Sequence, residues 1–219
     1  HIMDNKREIK CFPWMKQEVD IAVCAHVAAW TILRYYGNKY HNYADTTMGA
    51  IAQKIKGDMG RKTPSNGLTP VQIADLFQEY GFSPIIRGGM KEENSRFLDE
   101  MTAYIESGIP IVGFVSPKQH AVSIVGHGNI HYSLLDNPDS VGKLKDEKTG
   151  IILHSKLISL LYVMEDNYFG YRKVSKELPT STSDVDYNLY EIKFAVVPLY
   201  EKMHLVYNEV YERYVSLIE

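Results

Sequence analysis

The chain reads as an α+β fold: a helical layer packed against an antiparallel sheet. Two observations predict this. The N-terminal half carries apolar residues at helical spacing, in segments closed by glycine. The C-terminal half breaks into short runs of β-branched and aromatic residues separated by turn residues. Helices first and strands later favour segregated layers over an alternating parallel sheet. At 219 residues the chain suits one domain, 1–219, with enough core to stand without disulfide or metal staples.

The first helix is expected over Ala22–Tyr36, apolar nearly all round and stopped by Gly37. A second covers Asp45–Lys56. The stretch Lys56–Gly67 is rich in Gly, Lys, Pro, Ser and Asn and reads as a mobile loop. Thr69-Pro70 supplies an N-cap and a first-turn proline for a third helix that ends before Gly81. A fourth is expected over Glu92–Ser107, ended by Gly108. Strands are expected at Ile109–Val115, Ala121–Val125, His131–Leu135, Gly150–Leu153, Ile158–Met164 and Tyr190–Val197. Lys173–Asp186 is polar and reads as a surface loop, and Leu199–Glu219 returns to helical spacing.

Composition narrows the function. Hydrophobic residues make up 45% and charged residues 23%, which excludes a disordered chain. A net charge of -3 argues against a nucleic-acid binder. The longest apolar run, near Ile109–Val115, is too short to insert in a membrane. Two cysteines, Cys11 and Cys24, make no disulfide framework. With no secretory signal the expected location is the cytoplasm. His1-Ile2-Met3 reads as a cloning remnant, so a removed leader stays open. Sixteen tyrosines suit a grooved surface.

The chemistry concentrates in two strings. QEVDIAVCAHVAAW (Gln17–Trp30) opens a buried helix on Cys24. A thiol there lies near unsatisfied N–H groups and the positive end of the helix dipole, which favour the nucleophilic thiolate. A plain alternative is a small buried hydrophobe. GIPIVGFVSPKQHAVSIVGHG (108–128) starts an apolar strand on His120. That placement suits a general base held rigidly beside a cleft. His26, two positions from Cys24, does not face it. A zinc site from His120, His127, His131 and Cys24 lacks a C-x2-C pair to complete it, so no metal is expected.

Together these strings resemble papain-like cysteine peptidases, and most nearly the bacterial branch that includes the bacteriocin-leader (double-glycine) peptidases. Cys24 and His120 stand 96 residues apart, fewer than the roughly 130–150 of the papain/cathepsin group and in keeping with the leader-peptidase branch. Val23 and Ala25 flank Cys24 where the family carries a glycine. The resemblance implies Cys24 as nucleophile, His120 as general base and Gln17 as side-chain donor of an oxyanion hole, partnered by the Cys24 backbone N–H. It implies no cofactor, and a peptide or protein as substrate.

The third triad member has two candidates. Asp136, sixteen residues past His120, comes within reach if His131–Leu135 pairs back as a hairpin. Asp166 ends the stronger strand, in EDNYFGY (165–171); this reading is preferred, and it makes Asn129–His154 an inserted excursion. The function expected is hydrolysis of an amide bond through a thioester. Two alternatives remain at this point: a catalytically inactive papain-like scaffold that binds protein, and an acyl or peptidyl transferase on the same fold.

Overall fold

A computed structural model describes residues 10–16, 24–55, 68–88, 95–116, 118, 120–146, 149–176, 187–203 and 206–218. Six strands form one antiparallel sheet in the order β1-β6-β2-β3-β4-β5. They are β1 (Phe82–Gly88), β2 (Ile111–Val115), β3 (His120–His127), β4 (Leu160–Met164), β5 (Arg172–Ser175) and β6 (Ile192–Tyr200). One face carries α1 (Cys24–Lys39), α2 (Met48–Lys54) and α3 (Pro70–Glu79). The other carries α4 (Ser95–Glu106), with α7 (Tyr207–Ile218) packed on that helix. Two short helices, α5 (Pro138–Leu144) and α6 (His154–Leu157), lie between β3 and β4. The α+β expectation therefore holds.

The two cores follow from strand alternation. Val112 and Ala121 turn toward α1, and Ile111, Val115, Val122 and Ile124 turn toward α4. Helix α1 is the central pillar. Ala25, Ala28 and Ala29 let it lie close to β2 and β3, and ten of its sixteen residues are buried. One polar bond ties helix to sheet: buried Ser123 of β3 donates to the Ala28 carbonyl at 2.9 Å.

Several elements differ from expectation for identifiable reasons. Helix α1 runs past Gly37 to Lys39. Gly37 is there for a close approach instead, since a Cβ on it would sit 2.9 Å from the Asp45 Cα. Gly81 and Gly108 do adopt the left-handed turn after a helix, at φ 84° and 77°. His131–Leu135 is no strand; residues 132–136 coil into an exposed 3-10 turn. Residues 151–153 are irregular and lead into α6. Strands β1 and β5 have no counterpart in the sequence pattern. Pro84 and Gly88 disguise β1, an edge strand where a missing N–H is tolerated. Strand β5 takes the first residues of the expected polar loop, and 177–186 fall outside the described residues, as does Lys56–Gly67.

The tyrosine surplus goes partly into the core and not only to a groove. Tyr36 is fully buried and meets the rings of Tyr35, Tyr40, Tyr43, Phe82 and Tyr200 at centroid distances of 4.9–5.9 Å. This cluster packs the C-terminal end of α1, three turns from Cys24. Burial raises the Tyr36 hydroxyl far above its ordinary range.

Two glycines inside helices should respond to alanine with opposite signs. A Cβ on Gly142, in α5, would meet nothing within 4 Å, so Gly142→Ala should stabilise by about 0.5–1 kcal/mol. Gly37→Ala should destabilise by about 1–3 kcal/mol, because backbone at Asp45 must move. Urea unfolding of both variants checks the pair.

Candidate functional site

Cys24 is the first described residue of α1 and is 7% exposed. His120 is the first residue of β3, directly after the turn from β2. Cys24 lies close enough to the His120 ring to help raise the imidazole pKa. Two strings 96 residues apart in the chain thus bring Cys24 and His120 near one another. The Ser123–Ala28 bond lies one helical turn from Cys24 and three residues from His120, so it fixes the spacing of the two elements close to the pair.

On its other side, the imidazole meets a residue that the sequence pattern did not single out. His120 Nε2 hydrogen-bonds Glu165 Oε1. That leaves Nδ1 as the ring nitrogen available to the thiol. The Glu165 side chain is fully buried. Its second oxygen accepts from the Tyr187 hydroxyl at 3.0 Å and lies 3.5 Å from an Arg172 guanidinium nitrogen. The Trp14 indole N–H donates to the Glu165 carbonyl at 2.7 Å, holding the backbone as well.

Asp166 and Asp136 are placed very differently. Asp166 Oδ1 stands 3.7 Å from His120 Nε2, behind Glu165. Neither of its carboxyl oxygens completes a hydrogen bond, and the residue is 3% exposed. Asp136 sits exposed in the 3-10 turn, so the hairpin that was to carry it to His120 does not form. The reason lies in strand pairing. The partner of β3 is β4, with Ser123 opposite Met164, so the residue that follows Met164 arrives at the His120 end of the sheet. Residues 128–159 form an excursion closed by the Ile130–Ile158 bridge. Aspartate is the residue type the resemblance leads one to seek, so the glutamate next to Asp166 gave no signal. Alternation was the usable clue: Glu165 shares a face with Leu161 and Val163, both core residues. Gln17 lies outside the described residues.

Charge follows geometry. Burial would lower the His120 pKa, but its bonds to Cys24 and to the Glu165 carboxylate outweigh that and raise it to about 10. The imidazolium is therefore the resting form at neutral pH. Asp166 is raised to about 6, first by burial and further by the neighbouring Glu165 charge. The His120 cation opposes this, and the N–H groups of Asp166 and Asn167 give partial relief. Burial lowers the His26 pKa, and His26 Nδ1 has no partner.

His120, Glu165 and Asp166 bring ligand-type atoms within 4.8 Å of one another, the one such group among the described residues. Its histidine nitrogen is already engaged by Glu165. The zinc set weighed from sequence is not assembled: His127 donates to the Gly128 carbonyl, and His131 pairs with Ser159. No helix among the described residues is long and apolar enough to cross a membrane.

The family model described as Peptidase_C39 like family matches residues 7–145, more than half of the chain. The matched span holds Cys24, His120 and Asp136, and Glu165 and Asp166 lie beyond it. Among solved structures, the chain is similar to the crystal structure of the peptidase domain of Streptococcus ComA, described as a bi-functional ABC transporter involved in a quorum sensing pathway. The identity is 12% and the TM-score 0.47, covering 85% of this chain and 96% of that one. Comparison with curated proteins finds no match.

Two pH dependences follow. The His120 pKa rises from 6.5 to about 10 on folding, so its stabilising contribution is complete below 6.5 and fades as pH approaches 10. The stability gap between the wild type and His120→Gln should therefore narrow from pH 6 to pH 10 in chemical denaturation. Asp166 moves from 3.8 to about 6, so its penalty is absent below 3.8 and full above about 6. Asp166→Asn should stabilise the fold at pH 8 by about 1–3 kcal/mol and by little at pH 4.

Proposed function

The chain belongs to the Peptidase_C39 like family, and from that premise we propose that it is a cysteine peptidase whose reacting pair is Cys24 and His120. One observation carries the reading: the Cys24 thiol of α1 lies beside an imidazole whose Nε2 is bonded to a fully buried carboxylate. A thiolate–imidazolium pair is the nucleophile and the proton donor that amide cleavage needs.

The steps follow from the positions of the groups. Cys24 Sγ attacks the peptide carbonyl carbon, and the C–O double bond opens to an oxyanion. The Cys24 backbone N–H and Gln17 are the proposed donors to that oxygen. The C–N bond then breaks as the His120 imidazolium gives its proton to the leaving amine. A Cys24 thioester remains, with His120 neutral. A water loses a proton to His120 and attacks the thioester carbon, which releases the acid and returns the sulfur as thiolate. Glu165 takes the third place by holding Nε2, so that Nδ1 is the nitrogen presented to the sulfur and the imidazolium is stabilised.

The substrate is a peptide or protein segment. The pair lies at the junction of α1 and the β3 end of the sheet, bordered by the segment 10–16 through Trp14 and by the loop after β4. Trp14 and Phe169, 42% and 83% exposed, place aromatic surface at that border.

With a fluorogenic peptide library as substrate, Cys24→Ala and His120→Ala should abolish turnover while circular dichroism stays unchanged. Glu165→Gln should lower kcat by about 100-fold or more, and Asp136→Ala should leave it within about twofold. Full turnover in Cys24→Ala removes the covalent mechanism. Loss in Asp136→Ala with retention in Glu165→Gln reassigns the third place.

A further inference from the structure

Glu165 has a difficult task. Its carboxylate is fully buried, it arrives from the loop just past β4, and its side chain is one rotor longer than an aspartate's. An ionised carboxylate without partners at such a site would take up a proton or swing away. One oxygen faces His120. What the other oxygen meets therefore decides whether Glu165 stays charged and in place.

Two groups from separate parts of the chain meet it. Tyr187 lies just before β6, 22 residues after Glu165, and donates its hydroxyl at 3.0 Å. Tyr187 is 2% exposed, and its hydroxyl is held well above its ordinary pKa, by burial first and by the Glu165 charge next, so it remains a donor throughout the accessible pH range. Arg172 opens β5 opposite Val163, which puts it on the same face as Glu165. Its guanidinium stands over the rings of Tyr168 and Tyr187, at 4.6 and 4.9 Å. A planar cation between two aromatic faces is held in orientation as well as in charge. Tyr187 thus serves twice, donating to Glu165 and stacking against Arg172. The Tyr187 and His120 rings are themselves edge-on, with centroids 6.4 Å apart.

We propose that Tyr187 and Arg172 are positioning residues that act through Glu165, clamping its second oxygen so that the first stays on His120 and the imidazole stays turned toward Cys24. The proposal rests on the peptidase reading and adds two residues, one from β5 and one from the segment before β6, both beyond the span that the family model matches. Asp166, with no completed hydrogen bond and the same imidazole nitrogen 3.7 Å away, is the competitor the clamp excludes. If Glu165 loosens, a second carboxyl stands ready to capture the ring at a different angle.

The test reads Cys24 itself and needs no knowledge of the substrate. The probe is iodoacetamide on the full chain at about pH 6, where ordinary thiols react slowly, with exposed Cys11 as internal reference. Mass spectrometry follows both sites. Cys24 should label much faster than Cys11 in the wild type. Tyr187→Phe, which keeps the ring and the stacking, should slow Cys24 about tenfold and leave Cys11 unchanged. Arg172→Met should slow it as well, and Arg172→Lys should restore part of the rate. In a Glu165→Gln background, Tyr187→Phe should have no further effect, since a residue acting only through Glu165 has nothing left to act on. An unchanged Cys24 rate in Tyr187→Phe, or an equal slowing in the Glu165→Gln background, overturns the clamp while leaving the peptidase reading intact. A wild-type Cys24 that labels no faster than Cys11 overturns the peptidase reading and the clamp together.

Discussion

The imidazole of His120 lies between a thiol and a buried carboxylate, and the rest of the site is arranged around that contact. Glu165 is shut off from water, so its charge must be answered by the protein. His120 answers it as a cation, which is why the pKa rises against the pull of burial. The chain thereby holds charge at a place where a hydrophobic residue would pack at lower cost. A proton stored on the imidazole beside a sulfur is what the carboxylate secures.

Contact alone is not sufficient, because Cys24 and His120 belong to different layers. Their spacing is set by how closely α1 lies on the sheet. Small residues set it: Ala25, Ala28 and Ala29 on the helix and Ala121 on β3 all belong to the shared core. The Ser123–Ala28 bond then fixes the slide of helix along strand. At the other end of α1, Tyr36 and its ring of aromatic neighbours anchor the helix by bulk. The helix is therefore held closely where the sulfur is and packed heavily where it is not. Five of the sixteen tyrosines, Tyr35, Tyr36, Tyr40, Tyr43 and Tyr200, belong to this anchor.

The layers and the proximity of Cys24 to His120 are readable in the sequence for a physical reason. A thiol opening an all-round apolar helix, and a histidine opening an apolar strand, are both local patterns. In the structure β3 opens on His120, and Cys24 is the first described residue of α1. What was not readable depended on pairing across the chain. A glycine after a helical stretch usually marks its end, yet Gly37 serves Asp45, a neighbour only in space. His131–Leu135 has strand-like residues, yet it finds no partner strand because β3 is already paired with β4. The same pairing selects Glu165 over its neighbour Asp166. One residue along an extended chain changes the direction in which a side chain points, and no local pattern gives that parity without the register.

Parity also explains why two adjacent acids at one imidazole do not share a role. Two carboxylates this close cannot both ionise cheaply, so the environment must distinguish them. Glu165 has Tyr187, Arg172 and His120 as partners. Asp166, about as deeply buried, completes no hydrogen bond through its carboxyl oxygens and is raised to about 6. As pH falls through about 6, Asp166 takes up a proton beside the ring. A buried acid without hydrogen bonds costs stability, and a sequence selected only for folding would place an apolar residue there. Its presence beside His120 marks this end of the sheet as a place where arrangement of charge takes precedence over packing.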